Sequence, residues 1–157
     1  LFTYVTNRIP EIADELYKID DAMKAGFGWQ HGPFQIWDAI GVEKGIELMK
    51  AEGNEPAAWV LDMIANGSTS FYTVKNGATL YYDIPKKEQV KVPGQDAFII
   101  LDNVRKTTEI FKNSGVSIQD LGDGILNCEF RSKMNSIGGD VLAGINRAID
   151  LAETQYD

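Results

Sequence analysis

Gly26-Phe27-Gly28-Trp29-Gln30-His31-Gly32-Pro33-Phe34-Gln35-Ile36-Trp37-Asp38-Ala39-Ile40-Gly41 carries five aromatic side chains, His31 included, and four glycines. The overall composition, 10% Phe, Trp and Tyr, does not account for that density. The stretch predicts a sharply bent, well-packed connection between helices. Gly26 and Gly28 allow backbone angles closed to other residues. Pro33 presets φ for the first turn of a helix running to about residue 40, and Gly41 closes it. A dinucleotide-binding loop needs its third glycine three residues after the second, and a strand before the first. Here the second gap is four residues, from Gly28 to Gly32, and the flank is helical, so a structural turn is expected. His31 is the only histidine. With no cysteine or second histidine near it in sequence, it reads as a packing residue rather than a metal ligand or base.

Upstream, Phe2, Val5, Ile9, Ile12 and Leu16 recur at helical spacing, with a kink or break expected near Ile9 because Pro10 cannot continue a helix. Asp20 or Asp21 is then expected to cap a short helix through Lys24. Downstream, Val42, Ile46 and Met49 predict a helix with one apolar stripe and an acidic outer face. Glu55-Pro56 restarts the chain into a further helix with Trp59, Val60, Met63 and Ile64 inward, stopped by Gly67. Beyond Ser70 the period changes. Runs 71–75 and 78–82 flank Asn76-Gly77, a strong hairpin signal, and a two-residue loop pairs Tyr72 with Tyr81.

Residues 84–94 are charged and bounded by Pro85 and Pro93, which predicts a linker extending through 115. Within 98–111 the pattern is ambiguous and fits a short element followed by an extended stretch into Lys112. Residues 116–120 and 124–130 flank the turn Leu121-Gly122-Asp123-Gly124, a second hairpin. After Gly138-Gly139 an amphipathic helix is expected from Asp140, its stripe made of Val141, Leu142, Ile145, Ala148, Ile149 and Ala152.

Composition bounds the function. The chain has 157 residues, 44% of them hydrophobic, enough for a packed core. Its net charge is −8, with five Lys/Arg against eleven Asp/Glu in the first 66 residues. That disfavours nucleic acid, which clustered basic side chains bind, and anionic membrane surfaces. No apolar run is long enough to span a bilayer and no signal segment opens the chain, so a cytoplasmic location is expected. Cys128, the single cysteine, excludes an internal disulfide and reads as a buried strand residue rather than a nucleophile. The chain opens at Leu1 in what reads as helix interior, so a fragment of a longer polypeptide is expected.

Two motifs resemble known families. Ile19-Asp20-Asp21-Ala22-Met23-Lys24, then Gly26-Phe27-Gly28-Trp29, then Gly32-Pro33-Phe34, Asp38 and Gly41, resemble the C-terminal helical domain of the 3-hydroxyacyl-CoA dehydrogenases. Gln30-His31 stands where Pro-Met is usual in that family, which suggests the later copy of a duplicated helical domain. The family's Asn-Arg pair, whose Asn contacts substrate, is matched by Asn7-Arg8. Only twelve residues separate Asn7 from Asp20, so Asn7 is read as a helix-surface or packing residue without that role. The second motif is Arg131-Ser132-Lys133-Met134-Asn135-Ser136-Ile137 between a hairpin and a helix, which resembles the start of an enoyl-CoA hydratase (crotonase) domain. By that resemblance Lys133, Met134 and Asn135 lie near bound coenzyme A, although Lys133 equally reads as a solvated turn residue. The sequence ends before the loops that form that family's oxyanion hole.

The resemblances imply an α+β chain in three parts. Residues 1–83 are expected to form a mainly helical domain, like the C-terminal domain of 6-phosphogluconate dehydrogenase, ending in a β-hairpin. Residues 84–115 are the linker, and 116–157 the first hairpin and helix of an incomplete crotonase-like domain. They imply the junction of a fused dehydrogenase–hydratase of fatty-acid β-oxidation. Its cofactors would be NAD and coenzyme A thioesters; its partners would be acyl-CoA, the other domains of the polypeptide and a possible second copy. This piece itself is expected to hold no catalytic residue and no metal. A stand-alone helical dimerisation or interaction module remains the alternative, and a small-molecule pocket around Trp29 and Trp37 a third reading.

Overall fold

The computed structural model of the chain describes residues 1–156 and shows two compact units, the first Leu1–Ile99 and the second from Ile100 onward. The first unit runs α1 (Phe2–Asn7), α2 (Leu16–Phe27), α3 (Pro33–Ile40), α4 (Val42–Ala51), α5 (Ala58–Ala65), β1 (Tyr72–Lys75), β2 (Ala78–Asp83) and β3 (Glu88–Lys91). The second runs α6 (Leu101–Thr108), β4 (Glu109–Lys112), β5 (Val116–Asp120), β6 (Leu126–Phe130) and α7 (Gly139–Gln155).

α1 breaks before Pro10, as expected, but helix resumes only at Leu16. The expected cap at Asp20 or Asp21 is corrected. Asp20 lies inside α2, fully buried, and caps a different helix: its carboxylate accepts the N–H groups of Phe34 at 2.9 Å and Gln35 at 3.1 Å. Those donors at the start of α3 have no intrahelical partner, and a carboxylate complements the positive end of the helix. Gly32 makes the approach possible, because a Cβ there would lie 2.3 Å from the side-chain carbons of Asp20 and 2.4 Å from its Cα. We expect Gly32→Ala to cost about 3 kcal/mol by forcing the two helices apart, read as a drop in the urea midpoint. An unchanged midpoint would mean that α2 yields freely.

Asp38, on the other side of α3, ties the helices to the hairpin by accepting the N–H groups of Phe71 and Tyr72, both at 2.8 Å. Phe71 then enters an aromatic core, with ring centroids 5.0 Å from Phe34, 5.2 Å from Trp37 and 5.9 Å from Trp59. Phe2 of α1 stacks on Trp37 at 4.7 Å. The Trp37 indole N–H donates to Val42 O at 3.0 Å, which orients α4.

The hairpin has the expected register, Tyr72 opposite Tyr81, and Tyr82 N–H bonds Phe71 O at 2.8 Å. The linker expected over 84–115 is corrected at both ends. β3 adds a third antiparallel strand with Tyr82 opposite Gln89, after a turn in which Asp83 accepts the Lys86 N–H at 2.9 Å. Gln95, buried just beyond, substitutes for a strand partner: its amide accepts from Thr79 N and donates to Thr79 O, both at 2.8 Å. The break between units falls at Ile99, and α6 and β4 belong to the second.

In the second unit β4, β5 and β6 form an antiparallel sheet in that order. The β5–β6 turn needs left-handed backbone at Gly122, Asp123 and Gly124 (φ 84°, 52° and 75°), which two glycines supply. Val116 and Ile118 are fully buried and join Val141 and Leu151 of α7 in one apolar cluster. The intervening residues Ser117 and Gln119 are equally buried but polar. They are satisfied within a network: Gln119 donates to Ser117 Oγ at 2.6 Å, Asn127 donates to Gln119 Oε1 at 2.6 Å, and Ser117 donates to Glu109 at 2.5 Å. Arg105 of α6 closes the network with a two-pronged bond to Glu129, at 2.8 and 3.1 Å.

Candidate functional site

Lys133, Met134 and Asn135 form a short 3-10 turn between β6 and α7. Strand pairing ends as Arg131 N–H bonds Gly115 O at 2.8 Å. The Ser132 hydroxyl donates to Ser136 O at 2.7 Å and the Ser136 hydroxyl to Lys133 O at 2.9 Å, which pinches the turn shut. Met134 and Asn135 both take left-handed backbone, φ 56° and 53°. For methionine that costs about 1–2 kcal/mol, whereas Asn tolerates it. All three side chains are exposed, Met134 at 91%. The turn therefore presents an ammonium group, a flexible thioether chain and a carboxamide side by side. Such a set suits a ligand with phosphate, apolar and polar parts.

Beside it, a depression of about 560 Å³ is lined by Leu101, Arg105, Glu129, Arg131 and Ser132. Its two guanidiniums are both engaged by Glu129, Arg131 at 3.3 Å, and Arg105 also pairs with Asp102. Glu129 holds the Arg105 guanidinium even more firmly protonated than usual. Its acidic neighbours neutralise the basic groups, so the depression is not a strong anion site.

The other singled-out residues do not converge. His31 is exposed, which corrects its reading as a packing residue: Gly28 ends α2 in left-handed backbone and the chain turns outward before Gly32. Trp29 is 36% exposed while Trp37 is fully buried, so no pocket joins them. Asn7 donates to Thr3 O at 2.8 Å on the exposed surface of α1. Cys128 lies half-buried on β6, where burial pushes its thiol up and away from the reactive thiolate. Gly26 lies inside α2, Gly28 and Gly32 lie between α2 and α3, and Gly32 is filled from behind by Asp20, so the loop does not fit a dinucleotide. Among the described residues no group of three or more His, Cys, Asp or Glu is placed to hold a metal, and no helix is long and apolar enough to cross a membrane. Sequence reasoning missed the roles of Asp20, Asp38, Gln95 and Arg105. The partners of the first two lie 14 and 33 residues away, beyond any local signal.

Comparison with known proteins agrees with the helical part. Residues 4–80 match the family model described as 3-hydroxyacyl-CoA dehydrogenase, C-terminal domain. A Bacillus subtilis (strain 168) protein named as a 3-hydroxyacyl-CoA dehydrogenase is 38% identical over 154 residues, which is 98% of this chain and 19% of the relative. A Rickettsia prowazekii (strain Madrid E) protein named as a fatty acid oxidation complex trifunctional enzyme is 22% identical over 97% of this chain and 18% of its own length. The chain thus spans less than a fifth of the length of either relative. No solved structure matches it. From Tyr4 to Leu80 the chain is similar to the C-terminal domain of 3-hydroxyacyl-CoA dehydrogenase, and the first unit carries the likeness.

Proposed function

We propose that the chain is a non-catalytic junction within a multifunctional enzyme of fatty-acid β-oxidation, with its first unit shaping the acyl-CoA cleft of an NAD-dependent 3-hydroxyacyl-CoA dehydrogenase. The second unit would open a crotonase-like enoyl-CoA hydratase domain. The observation that carries this is the reach of the pairwise similarity. It extends over 98% and 97% of the chain, past the end of the family match at residue 80 and through the second unit. In the whole enzyme NAD would accept hydride from the 3-hydroxyacyl thioester. This chain's contribution is positional, through the aromatic core and the Asp20 and Asp38 anchors that fix α2, α3 and β1 together.

The same reading puts coenzyme A at Lys133, Met134 and Asn135. Strained, exposed backbone at Met134 supports it, because strain of this kind gathers at ligand-binding turns. Lys133 would face a phosphate, Met134 an apolar stretch of the coenzyme and Asn135 a polar edge. We expect Lys133→Ala in the intact polypeptide to raise KM for crotonyl-CoA about two- to fivefold with kcat unchanged, as loss of one exposed ion pair would. Unchanged KM would remove the turn from the site.

A second reading has one observation in its favour. Leu126, Cys128, Phe130, Ile145 and Ile149 line an open apolar groove of about 410 Å³ between β6 and α7, with Leu142 exposed nearby. In a self-contained dimerisation module this face would meet a second copy. Concentration-dependent dimerisation of the chain in sedimentation, abolished by Ile149→Lys, would favour that reading.

A further inference from the structure

The chain carries four methionines, and the fold treats them unequally. Met63 is wholly inaccessible within the aromatic core of the first unit, Met49 is half-buried against that core, and Met23 is half-buried on α2. Met134 is 91% exposed and belongs to neither apolar cluster. Its place is nonetheless fixed. The Ser132 and Ser136 hydroxyls close the turn on both sides of it, at 2.7 and 2.9 Å, around left-handed backbone at Met134 and Asn135.

A core methionine that gains an oxygen becomes polar and disrupts the packing around it. At Met134 the same change leaves both cores untouched, because the side chain packs in neither. Oxidation there alters the surface of the turn and nothing beneath it. Cys128, the other oxidisable sulfur of the second unit, lies half-buried against the apolar cluster, where burial holds it in the less reactive thiol form.

We propose that Met134 is a reversible oxidation site that regulates the turn: a hydroperoxide converts its thioether to the sulfoxide, and the turn then holds the apolar stretch of the coenzyme less tightly. The sulfur lone pair attacks the outer oxygen of the peroxide, so an S–O bond forms as the O–O bond breaks. Sulfur loses two electrons, and the peroxide leaves as water or an alcohol after taking back the proton of the transferred oxygen. A dithiol reductant reverses the step, ending as a disulfide and releasing water. The consequence for binding rests on the coenzyme A reading of Lys133, Met134 and Asn135, whereas the order in which the methionines oxidise does not.

The test is to treat the intact polypeptide with hydrogen peroxide and map its peptides by mass spectrometry. Of these four methionines Met134 should oxidise first and Met63 last, since susceptibility follows exposure. Met134 trailing Met23 or Met49 would overturn the proposal. Polypeptide oxidised at Met134 should show KM for crotonyl-CoA raised about two- to fivefold with kcat unchanged, as loss of one methylene-sized apolar contact would. Methionine sulfoxide reductase with a dithiol should restore it. Met134→Leu, which keeps an apolar side chain and removes the sulfur, should show the same KM after peroxide as its own untreated form. An equal rise in that variant, or an unchanged KM in the parent carrying the sulfoxide, would overturn the switch. Lys133→Ala separates the two claims. If it raises KM while the sulfoxide does not, the switch falls alone; if neither moves KM, the coenzyme reading of the turn falls with it.

Discussion

Trp37→Ala is expected to destabilise the first unit by about 4 kcal/mol, within the range for removing a fully buried large aromatic side chain. Trp37 is wholly inaccessible, stacks on Phe2 at 4.7 Å, meets Phe71 at 5.2 Å and donates to Val42 O at 3.0 Å. The substitution would leave a cavity under three elements and remove the indole bond that ties α3 to the start of α4. Its space is defended from the other side by Gly45, where a Cβ would lie 2.1 Å from the indole nitrogen. Gly45→Ala should therefore be damaging alone and much less so in the Trp37→Ala background, a coupling that a double-mutant cycle reads directly. All three tryptophans lie in the first unit, so fluorescence melts report on it alone. Additive losses would mean that the two residues do not share this space.

Gly144→Leu should have a comparable effect on the second unit, about 3 kcal/mol or more. A Cβ at Gly144 would stand 2.1 Å from Val116 Cγ2, and Val116 is fully buried on the central strand of its sheet. Neither side can give way, so α7 must lift from β5. Cys128 supplies the readout. It is the only thiol, and it packs against the same apolar cluster. Its reaction with a thiol reagent should accelerate markedly in Gly144→Leu and only slightly in Trp37→Ala. The opposite ranking would show that the helix does not close over the sheet at this glycine.

Much of the architecture is legible where a local pattern suffices. Asn76-Gly77 sets the first hairpin and its register, Pro33 and Gly41 bound α3, and the 3.6-residue stripe from Val141 marks α7. β3 escapes such a reading because it is four residues long, half charged and fenced by prolines; only its pairing with β2 makes it a strand. The Asp20 cap is illegible for another reason. A carboxylate in mid-helix ordinarily faces water, and nothing near it in sequence shows that Gly32 leaves room for it under α3. His31 misleads because its tryptophan neighbour, Trp29, is itself a surface residue. At the candidate site the residue types and their order are visible in the sequence, whereas the left-handed backbone at Met134 is not, since methionine carries no signal for it.

The central claim is that these residues join a dehydrogenase to a hydratase. The direct measurement is to purify the native polypeptide that contains them and assay it for hydration of crotonyl-CoA and for NAD-dependent oxidation of 3-hydroxybutyryl-CoA. The account requires both activities to co-elute with one polypeptide several times the length of this chain, in keeping with the 19% of the Bacillus subtilis relative that the chain spans. Dehydrogenase activity without hydratase would contradict the fusion. A native polypeptide lacking both activities would contradict the claim as a whole.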